Sequence, residues 1–130
     1  MILPRYYEDL HALHINAIPD RAYFTPHASE ADALSCLREG SKRVVMLNGR
    51  WNFHWYPCIE DVPDDFFAPA FDDSDFGGID VPGCWQPQGY DKYHYVGAQG
   101  IIPYDIPKVP QDNPCGAYRT EFFYDPDDAL

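Results

Sequence analysis

The sequence is 130 residues long and carries 9 lysines and arginines against 21 aspartates and glutamates, a formal net charge of −12. Such a charge repels phosphate backbones and anionic lipid surfaces, which argues against nucleic acid or a membrane as partner. Hydrophobic residues make up 45% of the chain and aromatic residues 16%, enough for a packed core of single-domain size rather than a disordered tail.

From the N-terminus, Met1–Tyr6 contains no sustained apolar region. The apolar run Val44–Leu47 is far too short to cross a bilayer, so export is not expected and a cytoplasmic location is. Helical signals cover Tyr6 to His14 and Ser29 to Arg38. In the second, Ser29 is placed to cap the first turn, Ala31, Ala33, Leu34 and Leu37 give an approximate apolar stripe, and Gly40 is placed to end the helix. His11 and His14 lie three apart on the first segment with no third ligand type nearby, and read as structural or surface histidines.

The clearest β signal is Val44–Leu47, then Asn48-Gly49, then Trp51–Tyr56, because Asn-Gly suits a tight hairpin turn. Alternation puts Trp51, Phe53 and Trp55 on one face and Asn52, His54 and Tyr56 on the other. A buried aromatic row is the simpler reading of that face, with a sugar-stacking platform as the alternative. Further strands are expected at Gly78 to Val81 and at Ala117 to Tyr124. Between Tyr56 and Val81, the acids running from Glu60 and Asp61 to Asp80 read as a solvated face, since an EF-hand alternation ending in a bidentate glutamate is missing.

The 13 prolines are spread through segments that must be extended or turning. A loop-rich, mainly β protein with one or two short helices is the expectation. Cys36, Cys58, Cys84 and Cys115 are widely separated and form no C-x-x-C pair, so neither a zinc site nor a redox motif is suggested; in a reducing cytoplasm they are expected to be free thiols.

The segment Val81-Pro82-Gly83-Cys84-Trp85-Gln86-Pro87-Gln88-Gly89-Tyr90-Asp91 mixes aromatic and turn-forming residues as a rigid loop facing a partner would. About twenty residues later the chain reads Tyr104-Asp105-Ile106-Pro107-Lys108-Val109-Pro110 and Asp112-Asn113-Pro114-Cys115-Gly116-Ala117-Tyr118-Arg119. Together with Arg5–Leu10, Pro19–Phe24 and Leu47–Phe53, in that order, these segments resemble the N-terminal region of the large bacterial β-galactosidases of glycoside hydrolase family 2. The resemblance covers nearly the whole chain.

It implies a partial jelly-roll, galactose-binding-like β-sandwich with long irregular Pro-rich loops: residues 1–40 an extended or helical arm, residues 41–130 the first part of the family's sugar-binding domain, truncated. It further implies a parent that hydrolyses terminal β-galactosides through two glutamates on a barrel beyond this chain. None of Glu8, Glu30, Glu39, Glu60 and Glu121 matches the family's catalytic motifs, so no catalytic residue is expected here. The partners implied are a β-galactoside, the remainder of the enzyme chain and further copies in a homo-oligomer.

Cys84 stands where the family commonly has an asparagine that reaches a substrate hydroxyl. A thiol is a weak donor and acceptor, so Cys84 is expected either at the substrate with reduced polar recognition or buried beneath the loop. Trp85 is a candidate for the pocket wall or for packing under it, with Gln86 and Tyr90 as weaker candidates. Tyr7-Glu8-Asp9 replaces a segment that in the family can join a divalent-metal site; a helix-capping or exposed acid is the simpler reading. No metal or cofactor is expected in this chain, and magnesium and sodium are implied for the parent. Outside the enzyme reading stand a free-standing carbohydrate-binding module and a piece that complements a partner enzyme.

Overall fold

A computed structural model describes residues 5–93, 105, 107–110 and 113–124. The chain forms two compact units. One draws on the N-terminal segment up to Ala17 and on Gly49–Thr120, the other on Ile18–Asn48 and on the chain from Glu121.

The first unit is built on an antiparallel sheet of three strands, β1 (Gly49–Tyr56), β2 (Gly77–Val81) and β3 (Cys115–Arg119), in the order β2-β1-β3. Trp51 lies opposite Ile79, and Phe53 lies between Gly77 on one side and Tyr118 on the other. Among the described residues the chain is thus mainly β, as expected. The alternation in β1 also holds. Phe53 and Ile79 are fully buried, and Trp51 and Trp55 are half-buried on the same face, so the aromatic row is chiefly a core.

The Phe53 ring packs against Tyr90 (centroids 4.5 Å apart), Tyr118 (4.6 Å) and Trp85 (6.2 Å). The opposite face is covered by the segment 62–76. There His54 meets Phe76 at 5.2 Å, and Asn52 donates from Nδ2 to Asp73 at 3.1 Å. Arg119 fixes the same segment: its guanidinium donates to the carbonyls of Phe66 (3.3 Å) and Phe71 (3.2 Å), pairs with Asp73 (3.3 Å) and lies 5.4 Å from the Phe71 ring centroid.

Several expectations need correction. Val44–Leu47 is not a strand, and Asn48-Gly49 does not turn a hairpin. β1 takes its partners from strands distant in sequence, β2 along residues 49–53 and β3 along residues 52–56, rather than from a local hairpin. The helix expected from Tyr6 to His14 is a single 3-10 turn, Tyr6–Glu8, with exposed His11 and His14 beyond it. The last strand starts earlier and is shorter than expected, ending at Arg119 rather than Tyr124, because among the described residues no strand pairs with it from Thr120.

The second unit contains α1 (Glu30–Leu34), capped as expected by the Ser29 hydroxyl, which accepts from the Asp32 amide at 3.2 Å. Gly40 does not end this helix. Cys36, in the left-handed region at φ 58°, turns the chain away after Ser35, and Gly40 closes a separate 3-10 turn, Arg38–Gly40. Ser41 is buried and donates to the Pro26 carbonyl at 2.5 Å. Among the described residues no helix is long and apolar enough to cross a membrane.

Gly116, opposite Trp55 on the core face, has no room for a side chain. A Cβ there would stand 2.6 Å from Phe53 Cε2 and 2.9 Å from Trp85 Cζ3. Gly116→Ala must therefore displace core rings and should destabilise by about 1–3 kcal/mol. Gly40→Ala, with nothing within 4 Å of the added carbon, should change stability by less than about 0.5 kcal/mol. Thermal melting followed by near-ultraviolet circular dichroism compares the two variants directly.

Candidate functional site

The loop after β2 begins with a cis Val81–Pro82 peptide bond and runs through a 3-10 turn, Gln86–Gln88, to Gly89. Pro87 lies in the first turn, where a missing amide is harmless. Gly89 takes φ 90° as the turn's C-cap, a conformation that favours glycine. Tyr90 then folds back onto the sheet, its ring against Phe53 and its hydroxyl donating to the Gly78 carbonyl at 3.0 Å.

The residue that organises the loop is Gln88. Its Oε1 accepts from the Asp80 amide at 2.7 Å, and its Nε2 donates to the carbonyls of Asp80 (3.0 Å) and Cys84 (3.2 Å). The Asp80 amide and carbonyl point away from β1, so the side-chain amide occupies them as a neighbouring strand would. Nothing local in Pro-Gln-Gly signals a bond reaching back eight residues, and Gln88 was not among the expected site residues.

The clamp separates the two principal candidates. Trp85 is half-buried and packs on Phe53, its rim close to Gly116; its buried indole Nε1 has no hydrogen-bond partner among the described residues. Cys84 is exposed, so it is not the buried small residue that one reading expected. Tyr118 lies near it: burial chiefly, and the Cys84 charge secondarily, push the Tyr118 phenol above its usual range. Of the weaker candidates, Tyr90 serves packing, and Gln86 is half-buried in the 3-10 turn.

A second cluster surrounds a cavity of about 260 Å³ lined by Arg5, Tyr7, Glu8, Cys58 and Glu60 among others. Arg5 bridges the two carboxylates, at 3.5 Å from Glu8 and 3.4 Å from Glu60. The Cys58 thiol donates to Glu60, which holds the Glu60 carboxyl below its usual range and raises the thiol. A glycosidase acid needs the opposite, a carboxyl that keeps its proton near neutral pH, so this pair is not suited to that role.

Glu8 also accepts from the Val109 amide at 3.1 Å, and Asp9 accepts from the His11 amide at 2.8 Å. These carboxylates serve their neighbours. Among the described residues no three His, Cys, Asp or Glu side chains converge as metal ligands. Of the acids between Glu60 and Asp80 most are exposed, but Asp73 is half-buried and paired with Arg119.

Replacing Gln88 with alanine removes three hydrogen bonds, two of them to one edge residue, and should lower stability by about 1–2 kcal/mol. Hydrogen exchange at the Asp80 amide should accelerate in the same variant. The cysteines supply a second check. Cys36 and Cys84 are exposed, whereas the half-buried Cys58 and Cys115 have raised thiol pKa values, Cys58 through Glu60 and Cys115 through burial. Because the thiolate is the nucleophile, iodoacetamide at pH 8 should label Cys36 and Cys84 first, as read by peptide mass spectrometry.

Residues 44–129 match the model of the glycosyl hydrolases family 2 sugar binding domain. A β-galactosidase of Actinobacillus pleuropneumoniae is 42% identical over 119 residues, 92% of this chain and 11% of the relative. One of Staphylococcus xylosus is 32% identical over 126 residues, 96% of this chain and 12% of the relative. One of Photobacterium profundum is 45% identical over 74 residues, 57% of this chain and 7% of the relative. The chain thus spans about a tenth of the length of the first two curated relatives. With strands β1, β2 and β3 and the loop carrying Cys84 and Trp85 all inside the matched segment, the chain belongs to the glycosyl hydrolases of family 2, through their sugar binding domain.

Proposed function

We propose that this chain is the N-terminal part of a β-galactosidase and contributes sugar binding and one rim of the galactose pocket, without hydrolysing substrate by itself. The observation that carries the reading is the family match over residues 44–129, with relatives named as β-galactosidases matched over 92% and 96% of the chain. The loop geometry supports it. Gln88 holds the Cys84 backbone while the Cys84 side chain faces outward, and Trp85 forms the loop's underside against the core.

In this reading the parent releases terminal non-reducing β-galactose by double displacement, with one carboxyl as nucleophile and a second, about 5 Å away, as acid and base. Those groups come from residues outside this chain, as do the ligands for any magnesium or sodium. The role of these 130 residues is to position sugar: Cys84 stands at the hydroxyl, and the core fixes Trp85 behind it. The parent works in the cytoplasm as a homo-oligomer. The domain division that goes with this reading is an arm over residues 1–40 and the first part of the sugar-binding sandwich over 41–130.

The purified chain should show no turnover of a chromogenic β-galactoside; activity that persists through purification and is lost on substituting a residue of this chain would overturn the proposal. In the parent enzyme, Cys84→Asn supplies an amide to the sugar hydroxyl. It should raise kcat/KM about 2- to 13-fold, the equivalent of one net hydrogen bond of roughly 0.5–1.5 kcal/mol. Unchanged kinetics would remove Cys84 from the substrate site. A free-standing carbohydrate-binding module is separated by the reading frame after Leu130, which in an enzyme continues into a barrel.

A further inference from the structure

Cys58 and Cys115 are the two half-buried thiols of the chain, and both belong to the first unit, away from the loop that carries Cys84. Both are free, the ordinary state of such cysteines in a reducing compartment. What sets them apart is their place at one end of the ladder between β1 and β3.

Tyr56 and Cys115 face each other at the end of that ladder, and partners directly opposite share a face of the sheet. Cys58 follows two residues later with an extended backbone, φ −147° and ψ 149°. Alternation therefore returns its side chain to the Tyr56 face, which is also the face of Cys115. The burial agrees, since Pro57 is exposed while Tyr56 and Cys58 are half-buried. Continuing the register sets Pro57 opposite Pro114 and Cys58 opposite Asn113. Cys58 and Asn113 line the same 260 Å³ cavity, so the two segments stay side by side past the last ladder pair. Cys58 and Cys115 are thus diagonal neighbours on one face.

Diagonal neighbours stand about 7–8 Å apart between Cα atoms, and a disulfide needs about 4.4–6.8 Å. Closing that difference takes a movement of about 1–2 Å. The level between the two cysteines is occupied by Pro57 and Pro114, which have no amide hydrogen to hold a ladder bond against it. The sulfurs also lie within electrostatic reach: burial chiefly, and the Cys58 charge secondarily, push the Cys115 thiol above its usual range.

We infer that Cys58 and Cys115 form a reversible disulfide on exposure to a peroxide, which draws the Cys58 sulfur away from Glu60 and fastens the end of β1 to β3. Cys58 lines the cavity and reacts first. Its thiolate attacks one peroxide oxygen, the S–O bond forms as the O–O bond breaks, and water leaves once the departing oxygen is protonated. The Cys115 thiolate then attacks the Cys58 sulfur; the S–S bond forms, the S–O bond breaks and a second water leaves. Two electrons pass from the thiols to the peroxide. Glu60, which had accepted from the Cys58 thiol, keeps Arg5 as its partner at 3.4 Å.

The test uses the whole 130-residue chain at about 1 μM, where links between molecules are disfavoured, with Cys36→Ser and Cys84→Ser removing the two exposed thiols. After hydrogen peroxide, the monomer should lose about 2 Da, and a tryptic map without reductant should join peptide 51–92 to peptide 109–119. Adding Cys58→Ser or Cys115→Ser should abolish the joined peptide, and dithiothreitol should reverse it. In a glutathione redox buffer the effective concentration of one thiol at the other should be at least about tenfold higher in the native chain than in about 6 M urea, because the fold holds the pair together.

An oxidised chain without the joined peptide overturns the inference, as does equal effective concentration with and without urea. Sulfinic or sulfonic acid on Cys58 with Cys115 left as a thiol overturns it as well. If the serine background lacks the near-ultraviolet circular dichroism of the unsubstituted chain, the map is made on the unsubstituted chain, with the linked cysteines assigned by fragmentation. A link of Cys58 to Cys115 is again expected there, and its absence overturns the inference.

Discussion

The burial of Phe53 at the centre of the sheet is the constraint on which the first unit depends. β1 is the middle strand, and Phe53 is its only fully buried side chain; Tyr118 from β3 and Trp85 and Tyr90 from the loop after β2 all close on its ring. Burying such a side chain is worth about 1.5–3 kcal/mol, and each well-placed ring pair about 0.5–1.5 kcal/mol more. The Arg50–Asp80 ion pair across β1 and β2, with side chains 64% and 75% exposed, belongs to a class worth about 0–1 kcal/mol. Aromatic packing therefore decides the register, and the surface charges follow it. The same packing places the loop: Trp85 cannot leave the core without uncovering Phe53, so the exposed position next to it, Cys84, is fixed in turn.

On the opposite face, polar contacts do the corresponding work. Asp73 receives both Asn52 and Arg119, and Arg119 reaches two carbonyls of the same covering segment. With side chains 19% and 27% exposed, the Arg119–Asp73 pair lies in a poorer solvent than the rim charges, where removing one partner strands the other. One acid of the long acidic stretch is thus structural, while its neighbours on that stretch remain mostly exposed.

The strand at Gly49–Tyr56 was legible because its alternation is written in adjacent residues, and the Ser29 cap because its partner lies three residues on. The pairing of that strand was not. Asn48-Gly49 is a sound local hairpin signal, yet the true partners lie well over twenty residues away on either edge, and separation of that kind leaves no mark in a short window. The aromatic loop could be read as a rigid element from its turn residues and rings. That Trp85 packs inward and Cys84 faces outward depends on Gln88 bonding back to Asp80, a contact between two unremarkable polar residues.

Gln88 and Tyr90 together occupy the outward backbone groups of Asp80 and the Gly78 carbonyl. On the other side, no described strand lies beyond β3. Among the described residues the sheet therefore has one plugged edge and one edge without a neighbouring strand. Two copies meeting edge to edge through β3 would form a closed pair related by a two-fold axis, and neither would have a second edge to offer. A fibre needs two complementary edges on every copy, so this chain is protected from open-ended strand stacking by a side-chain amide and a phenol, without the lysines and prolines that edge strands commonly carry.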